Sequence, residues 1–534
     1  MVKAKSAYAT RLSSLGSSGS HWSTINALTS RVPSHTSLSC DEAERLNDVF
    51  ARVFQKEDLD PNSLYGVNES FVPCIVTPED VRLAISETKS NASGPDAISG
   101  VIYRKFSSIL SVPLAGIFNM CFAACDFPIS WRRANIIAKE KKGTDQHRPI
   151  SLLPFPSKVL EKLTLWKLLI PSLQRPFNPQ QFAYIPGGCG GCTSALTYIR
   201  LHTLQHISNT SGYTRILSLD FSKAFDTISH RLILQILADR FGCPAHLIRF
   251  VASYLTNRCQ RVVSGPHITQ WRPASSGVPQ GSVLGPLLFA MYVDDACPVN
   301  TNTSFVIYAD DFNVLHNVSS TQHDKLQEEV DELVKWSRGR KLVLNPSKTQ
   351  LLTVSRSKAQ CAPIVISGTT IYEAANARIL GVYFSCDTKW DLQFSTLYAR
   401  CCRCLSMVKK LWQAGGASRL VWLAYLGLVF SQIAWCWPVL CDVPKSHKQK
   451  LLRLELTVAR WAGTRPPKAL SERLDDVCVR LIKRIASNKN AHPLAEFFQV
   501  RDFLPKVRNP RILLPPPSRH SFLQNSFVKY SAWT

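Results

Sequence analysis

The sequence Phe305-Val306-Ile307-Tyr308-Ala309-Asp310-Asp311-Phe312 decides the fold, because its two aspartates interrupt apolar residues typical of β-strands. A second stretch, Ser218-Leu219-Asp220-Phe221-Ser222-Lys223-Ala224-Phe225-Asp226, also places an aspartate directly after an apolar run. A carboxylate in this position is costly unless it is paired or bound to a cation. If the two strands lie side by side in an antiparallel sheet, Asp220 and Asp310 meet over one edge. Such a cluster suits two Mg²⁺ ions, which can activate an attacking hydroxyl and stabilise a leaving phosphate oxygen.

A second aspartate pair, in Tyr292-Val293-Asp294-Asp295, has the same Tyr-x-Asp-Asp form as residues 308–311. We favour 308–311 because a strand-like run precedes it and another apolar run follows it, as a hairpin requires. The pair at 294–295 instead ends a long apolar segment that begins at Pro286, which indicates a helix and its exit. Taken alone, an aspartate pair at a strand end is more often a solvated turn, so the assignment depends on the rest of the chain.

The composition favours a globular protein with a polyanionic partner. The chain has 534 residues, of which 45% are hydrophobic, and its 63 basic and 38 acidic residues give a net charge of +25. Such an excess suits nucleic acid, through counterion release at phosphates, and also anionic membrane surfaces. The 17 cysteines are scattered and no apolar signal segment is evident near Met1, which indicates reduced thiols in an intracellular protein. Cys189 and Cys192 form a CxxC without a second ligand pair, so a zinc site is not favoured.

The segment Leu420–Leu440 is uncharged and long enough to span a bilayer. It nevertheless contains Gln432 and Pro438, and its aromatic residues are spread along it rather than placed at its ends. We therefore predict a buried core helix and no membrane contact.

The remaining pattern is mixed. Residues 1–40 contain no acidic side chain and many serines, which indicates a solvated tail, with a transit-type segment as the alternative. Predicted helices are Asp41–Gln55, with Leu46, Val49, Phe50 and Val53 on one stripe, Pro78–Thr88 with Thr77 as N-cap, and Gln327–Trp336. Predicted strands are Arg215–Leu219, Phe305–Tyr308, Leu342–Leu344 and Gln350–Val354. From Asp387 to about Phe498 the chain is mostly helical, basic and rich in tryptophan.

A series of segments resembles one known family in its order. These segments are Gly94-Pro95-Asp96, Trp131–Ala134 with Lys141, Arg148-Pro149-Ile150-Ser151-Leu152-Leu153, Asp220–Asp226, Ser276-Gly277-Val278-Pro279-Gln280-Gly281-Ser282-Val283-Leu284-Gly285-Pro286, Tyr308–Asp311, Asn345–Thr349 and Leu380-Gly381-Val382. Over residues 40 to 500 the chain resembles the reverse transcriptases of non-LTR, LINE-type retrotransposons, especially jockey-like ones. The resemblance implies an α+β right-hand polymerase fold, with fingers, an antiparallel palm sheet backed by helices, and a helical thumb.

The resemblance also implies a division of the chain into regions. The expected regions are a flexible basic tail at 1–40, a helical N-terminal extension at 41–95, fingers at 96–215, a palm at 216–385, a helical thumb with a basic extension at 386–500, and a Pro/Arg-rich tail at 501–534. The reverse transcriptase domain is expected at about 115–385. We find no endonuclease segment before the matching region and no RNase H pattern after it, so the chain resembles a partial copy of such an element.

Site residues follow from the resemblance position by position. The metal ligands match Asp220, Asp310 and Asp311, and the backbone carbonyl of Phe221 would help to hold the nucleotide's metal. Phe225 matches a bulky gate that clashes with a 2′-hydroxyl, with a core aromatic as the alternative. Gln280 and Gly281 match the loop along the incoming nucleotide and template, and the alternative is a Gly-Pro loop without a ligand.

Further positions match cationic and primer-binding sites. Lys141 and Arg148 match triphosphate-binding cations, but Ala138 replaces the family's usual proline, so Lys141 could belong to a solvated basic turn. Lys348 matches a lysine near the leaving pyrophosphate, and Leu380, Gly381 and Val382 match the primer grip. In the thumb, basic residues interleaved with Trp412 and Trp461 suit a duplex minor groove, with a solvated basic face as the alternative. These residues are Lys409, Lys410, Arg453, Arg460, Arg480, Lys483 and Arg484.

The expected function is RNA-directed DNA polymerisation with two Mg²⁺ ions, or Mn²⁺ in their place. The expected partners are an RNA template, a DNA primer or nicked target DNA, and deoxynucleoside triphosphates, inside the cell in cytoplasm and nucleus. Protein partners are not indicated. One alternative is an inactive or co-opted copy that only binds RNA, which the intact Asp220, Asp310, Asp311 and Gln280 argue against. The other is an RNA-dependent RNA polymerase, which Phe225 argues against.

Overall fold

The computed structural model describes residues 38–55, 71, 73–140, 146–188, 190–356, 359, 361–488, 492–500 and 513–514. The helices are α1 (Cys40–Ala51), α2 (Pro78–Glu87), α3 (Gly100–Lys105), α4 (Ser107–Ala124), α5 (Phe155–Thr164), α6 (Cys192–Asn209), α7 (His230–Asp239), α8 (Ala245–Leu255), α9 (Gly285–Tyr292), α10 (Leu326–Gly339), α11 (Asp391–Gln413), α12 (Ser418–Tyr425), α13 (Ser431–Leu440), α14 (Lys445–Ala462) and α15 (Leu470–Ser487). The mixture of these helices with several sheets confirms the expected α+β class.

The strands form two larger sheets and three short hairpins. They are β1 (Arg133–Glu140), β2 (His147–Leu152), β3 (Tyr213–Asp220), β4 (Arg258–Ser264), β5 (His267–Ile268), β6 (Arg272–Ala274), β7 (Thr303–Tyr308), β8 (Asp311–Val318), β9 (Gln350–Ser355), β10 (Ile364–Ile366), β11 (Thr369–Ile371), β12 (Asn376–Ile379), β13 (Val382–Ser385), β14 (Gln499–Val500) and β15 (Leu513–Leu514). Short helical turns lie at Ile129–Arg132, Leu165–Leu169, Pro186–Gly188, Ala224–Asp226, Pro346–Lys348, Leu426–Phe430 and Pro493–Phe497.

The central sheet has the strand order β7-β8-β3-β9, and every pair in it is antiparallel. Its strands are apolar on both faces because both faces are covered. In β3, Ile216 packs into one hydrophobic core with α6 and the C-terminal helices. The next residue, Leu217, points to the opposite face and packs into a second core with α7, α8 and α9. The sheet therefore lies between two helical layers, which holds the ends of its strands in fixed positions.

A second sheet lies on the N-terminal side of the sequence and has the strand order β2-β1-β4-β5, with β6 also paired to β4. Strands β1 and β2 form an antiparallel hairpin, and β1 runs parallel to β4. Helix α1 packs on this sheet through Leu46 and Phe50, which share a small core with Ile136 and Val262. Strands β1 and β2 of this sheet contain Ala134 and residues 148–152, which belong to segments that resemble the known family.

Most predicted elements are confirmed, with two corrections. Thr77 caps α2 in a capping box with Asp80, as the sequence indicates. In α1 the predicted apolar stripe is incomplete, because Val49 is 38% exposed. Leu342–Leu344 is not a strand: only Leu344 makes an isolated bridge, to Phe221. That run was too short to tell a strand from an extended loop.

Two helical segments are long and apolar enough to cross a membrane by length and composition, namely Ser107–Ala124 and Ser418–Leu440. The second contains the segment for which we predicted a core helix. Its residues Val421, Val429 and Ile433 are fully buried among α11, α14 and α15. The first was not singled out in the sequence, and it exposes Ile109 and Met120.

Candidate active site

The three sequence-predicted carboxylates meet at one end of the central sheet. Strand β3 ends at Asp220, whose direct cross-strand neighbour is Asp311, the first residue of β8. Strands β7 and β8 form a hairpin closed by the pair Tyr308 and Asp311, with Ala309 and Asp310 at the turn. Ala309 has a φ of 57°, a conformation that is uncommon outside glycine and concentrates at functional sites. The hairpin predicted at residues 305–312 is therefore confirmed, although β8 rather than β7 lies beside β3.

Electrostatics at this edge favour a cation. Desolvation by the surrounding protein is the main cause that raises the pKa of Asp311 to about 6, and the charges of Asp310 and Asp220 raise it further. The positive charge of Arg148 lowers the pKa of Asp311, so this guanidinium lies close enough to influence the carboxylates. The outer side of Asp311 is open to solvent, so the carboxylate is accessible to an ion from that side. Three carboxylates held this closely repel one another unless positive charge lies between them.

Lys348 already supplies one positive charge. Its Nζ lies 3.2 Å from Oδ2 of Asp220. The segment that carries it is tied to the end of β3 by backbone hydrogen bonds, from Ser222 N to Val343 O at 2.8 Å and from Asn345 N to Asp220 O at 2.8 Å. Main-chain hydrogen bonds therefore place Lys348 beside the predicted metal ligands. The residues around Lys348 in the sequence do not predict these bonds.

The other aspartate pair directly follows α9, as its helix-and-exit pattern indicates. Asp294 is fully buried after α9, and its carboxylate accepts a hydrogen bond from Arg240 Nε at 2.9 Å. Asp295 pairs with Arg340 and accepts a hydrogen bond from Trp336 Nε1 at 3.0 Å. Arginine side chains pair with both carboxylates, which indicates a structural role for this aspartate pair.

The loop at residues 276–286 is bound to the turn that carries Phe225. Val278 N donates to Phe225 O at 2.9 Å, and Gly277 N donates to Ile228 O at 2.8 Å. Gly277 has a φ of 71°, and a Cβ there would lie 2.6 Å from the carbonyl oxygens of Phe225 and Asp226. Only glycine allows the two segments to approach this closely.

The side chain of Gln280 is held by Asp226, with Nε2 at 2.9 Å from Oδ1 and 3.2 Å from Oδ2. Phe225 is half-buried and stacks on Phe289 of α9, with ring centroids 4.5 Å apart. Phe221 lies at the end of β3 with its ring buried edge-on against Phe312. The two sequence segments therefore form one surface, in which Asp226 connects Gln280 to the turn of Phe225.

The same loop also contacts the second sheet. Ser151 N of β2 donates to Gln280 O at 2.8 Å, and a Cβ on Gly281, whose φ is 126°, would lie 2.8 Å from Ser151 O. Arg148 lies on β2 opposite Lys139 and is exposed. The site thus joins Gln280, Gly281 and Arg148 to the central sheet. Lys141 lies outside the described residues, so its predicted contact with triphosphate stays a prediction.

Leu380 and Gly381 form the turn between β12 and β13, with φ values of 46° and 86°. Two positive φ values are characteristic of the tight turns that match the twist of a hairpin. The carbonyl oxygen of Leu380 lies 3.8 Å from Sγ of Cys192, and a Cβ on Gly381 would lie 3.6 Å from the ring of Trp435. Val382 is fully buried beneath the turn. The structure therefore places this turn between the start of α6 and α13.

The basic side chains predicted for the thumb all lie on exposed positions of α11, α14 and α15. Trp412 and Trp461 stack on each other, with ring centroids 5.7 Å apart. They form an aromatic contact between α11 and α14, and Trp412 is still 38% exposed. Binding of a duplex by this surface stays a prediction.

Two residues near the site were missed. Glu161 of α5 is fully buried, and its Oε2 accepts hydrogen bonds from Val283 N at 2.6 Å and Leu284 N at 3.1 Å, at the start of α9. Burial raises the pKa of Glu161, and the two backbone bonds oppose that rise. Tyr184 is 46% exposed with a φ of 61°, and Tyr308 and Asp310 add to the rise in its pKa that burial causes. A single acid in a helical pattern and a tyrosine in a loop carry no sequence signal that distinguishes them from solvated residues.

The central part of the chain matches a known protein family. Residues 138–384 match the family described as reverse transcriptase (RNA-dependent DNA polymerase). The RNA-directed DNA polymerase from mobile element jockey of Drosophila melanogaster is 29% identical over 331 residues, covering 58% of this chain and 35% of that protein. The probable RNA-directed DNA polymerase from transposon X-element of the same species is 26% identical over 411 residues, covering 73% of this chain and 44% of that protein.

The chain spans less than half the length of these two relatives. A solved structure of apo telomerase from Candida tropicalis shares 10% identity at a TM-score of 0.34, over 69% of this chain and 68% of that one. The family match identifies residues 138–384 as a reverse transcriptase domain with the right-hand polymerase fold, and the chain is similar to the RNA-directed DNA polymerases of non-LTR retrotransposons.

Proposed function

We propose that this chain is an RNA-directed DNA polymerase that adds deoxynucleotides to a primer 3′-end on an RNA template. The observation that carries the proposal is the meeting of Asp220, Asp310 and Asp311 at one sheet end, beside the loop of Gln280. We further propose a primer supplied as DNA or nicked target DNA, and action inside the cell, in cytoplasm and nucleus. The region boundaries expected from the sequence, with fingers, palm and thumb, belong to the same proposal.

The residues fit two divalent cations. Asp220, Asp310 and Asp311 offer only oxygen ligands, which Mg²⁺ and Mn²⁺ prefer, and their mutual repulsion raises the pKa of Asp311 beyond the rise that desolvation causes. Reverse transcriptases generally use divalent metal ions. When bound, two such ions would favour ionisation of the primer hydroxyl and neutralise charge on the transferred phosphate. The carbonyl oxygen of Phe221, the residue after Asp220, would be a further oxygen ligand.

The surrounding side chains would bind and orient the nucleotide. Arg148, which already interacts with Asp311, would bind the triphosphate through a charge-assisted hydrogen bond. Gln280 and Gly281 present a close backbone surface, fixed by Asp226 and Ser151, along which a base pair would lie. The turn at Leu380 and the exposed basic face of α11, α14 and α15 would hold the primer and its duplex.

Primer extension tests the proposal. The full chain would be given poly(rA) with an oligo(dT) primer and Mg²⁺, and dTTP would be compared with UTP. Extension with dTTP and not with UTP is the expected result. RNA binding with a steep salt dependence but no extension would instead establish a binding protein, and extension with UTP would establish an RNA polymerase.

Replacing Phe225 by Val should relax the choice of sugar. The ring of Phe225 is fixed by its stack on Phe289, so a 2′-hydroxyl would meet a rigid surface, and a smaller side chain removes that obstacle. We expect the kcat/KM ratio of UTP to dTTP to rise roughly 10- to 100-fold. Phe225→Tyr keeps the ring and should keep the parent selectivity. An unchanged ratio in Phe225→Val would show that this residue is only a core aromatic.

Replacing Lys348 by Met should slow the chemical step. Its ammonium group lies 3.2 Å from Asp220, where a departing pyrophosphate would need a proton or a positive charge. We expect single-turnover incorporation to fall about 100-fold or more, as for loss of a general acid, with a smaller change in dTTP affinity. Lys335→Met, which removes an exposed ammonium from α10, is the control. A Lys348→Met rate equal to that of the control would remove this residue from the mechanism.

A further inference from the structure

Residues 180–182 lie against the outer edge of β7 and extend the central sheet. Backbone hydrogen bonds of 2.8 and 3.0 Å join this segment to Ile307, in a parallel arrangement. Continued in the same parallel register, the segment brings Tyr184 beside Asp310, because each lies three residues beyond the bridged pair. Burial is the main cause that raises the pKa of Tyr184, and neighbouring Tyr308 and Asp310 add to the rise. The added segment therefore carries a tyrosine to the end of the sheet where the carboxylates meet.

The side chain of Tyr184 is exposed, although the chain that carries it is fixed. The two preceding residues, Phe182 and Ala183, are buried, whereas Tyr184 is 46% exposed. Ala183 N donates to Gln181 Oε1 at 3.1 Å, and Gly191 N donates to Phe182 O at 2.7 Å. Tyr184 itself has a φ of 61°, a strained conformation of the kind that concentrates at functional sites. An exposed aromatic ring on a strained, fixed backbone beside the carboxylates indicates a contact with substrate.

The order of the strands separates the two sides of the proposed reaction. In phosphoryl transfer the attacking and leaving oxygens lie roughly in line, on opposite sides of the phosphorus atom. Lys348, which we propose to lie at the leaving pyrophosphate, contacts Asp220 at the end of β3. Asp310 lies at the turn between β7 and β8, on the other side of Asp311 in the strand order. The primer 3′-hydroxyl should therefore approach from the side of Asp310 and Tyr184.

The start of α6 joins the carboxylates to the turn that we predict as the primer grip. Cys192 is the first residue of α6, and its Sγ lies 3.8 Å from the carbonyl oxygen of Leu380. Burial raises the pKa of Cys192 to about 11, and the charge of Asp311 adds to that rise, so this contact lies close to the carboxylates. Tyr184 and the turn at Leu380 thus both adjoin the carboxylate cluster, as two contacts to one primer end would require.

We propose that the ring of Tyr184 packs against the sugar of the primer's terminal nucleotide and holds its 3′-hydroxyl beside Asp310. The inference rests on the proposed polymerase function. In a primed template the preceding base pair and the incoming nucleotide cover both faces of the terminal base, so a ring beside the hydroxyl meets the sugar. An aromatic ring offers a large, rigid contact surface, and a hydroxyl held in line with the phosphate reacts faster than a mobile one.

Tyr184→Ala should lower extension from a correctly paired primer end. We expect kcat/KM for the primer–template to fall roughly 10- to 100-fold, because small misplacements of an attacking group slow a reaction by such factors. The KM for dTTP should change little. A mismatched primer end is already misplaced, so the ratio of matched to mismatched extension should fall as well. Tyr184→Phe keeps the ring and should behave as the parent, and Tyr372→Ala, at a tyrosine 73% exposed after β11, is the control.

Hydroxyl-radical footprinting of the full chain, measured by mass spectrometry, adds a readout that does not depend on activity. Poly(rA) with an oligo(dT) primer should protect Tyr184 from oxidation, whereas poly(rA) alone should not, and Tyr372 should be oxidised equally in both. Absence of this protection, an unchanged matched-to-mismatched ratio in Tyr184→Ala, or an equal loss in Tyr184→Phe would each overturn the inference. Protection of Tyr184 without any extension would instead overturn the polymerase proposal and leave the primer contact in place, so the two failures are distinguishable.

Discussion

Asp220→Asn and Asp310→Asn are each expected to lower primer extension by roughly a thousandfold or more, while RNA binding and the fold remain. The amide keeps the size of the side chain but removes the negative charge on which a divalent ion depends. Asp220 faces Asp311 across β3 and β8, so a change at either carboxylate disturbs the whole cluster. The measurement is the single-turnover rate of dTTP incorporation at saturating Mg²⁺, with circular dichroism to confirm folding.

The chain offers a matched control in its second Tyr-x-Asp-Asp pair. Asp295→Asn makes the same chemical change at the second aspartate of that motif, which is paired with Arg340. We expect it to reduce stability slightly and to leave the rate per folded molecule unchanged. Equal losses in Asp295→Asn and Asp310→Asn would mean that the wrong pair was assigned, or that both changes only unfold the protein.

Glu161→Ala is expected to cost about 2–5 kcal/mol of stability, because it leaves two buried backbone N–H groups without an acceptor. These groups belong to Val283 and Leu284, a few residues after Gln280, so the loop that we propose to bind the nucleotide should loosen as well. We therefore expect a lower unfolding temperature together with a higher KM for dTTP. A normal unfolding temperature and KM would show that the start of α9 is held by other contacts.

Glu161→Gln is the matched variant, because it keeps an acceptor oxygen and can donate to Ser157, which now donates to Glu161 Oε1 at 3.1 Å. Burial raises the pKa of Glu161 in the folded state. The stability of the folded state is therefore complete below the ordinary carboxyl pKa, and it decreases as pH rises through the raised pKa. The glutamine does not titrate. Its stability relative to the parent should therefore increase from acid to neutral pH, as unfolding temperatures across pH would show.

Local pattern predicted the elements of the site well where one short segment contains the whole signal. The hairpin at residues 305–312 is of this kind, because apolar runs on both sides of two aspartates are compatible with few other secondary structures. The boundary of α2 at Thr77 and Pro78 is another, since the capping box lies within four residues. The order of the family segments supplied the assignment of Gln280 and Lys348, which local pattern alone does not distinguish from loop residues.

Contacts between distant segments could not be predicted in the same way. The bond between Asp226 and Gln280 spans 54 residues, and that between Glu161 and Val283 spans 122. Each depends on how the loop packs against the turn and α5, which no single segment encodes. The exposed stripe of α4 was missed because its buried side is also apolar, so the helix lacks the polar face that would mark a surface.

Manganese binding tests the central claim most directly, which is that Asp220, Asp310 and Asp311 together hold two divalent ions at the end of the central sheet. The full chain would be assembled with an RNA template, a primer ending in a dideoxynucleotide, and dTTP, and bound Mn²⁺ would be counted by electron paramagnetic resonance. We expect two ions for each complex, at least one of which is lost in Asp310→Asn and neither in Asp295→Asn. Two ions retained in Asp310→Asn would contradict the assignment of this site.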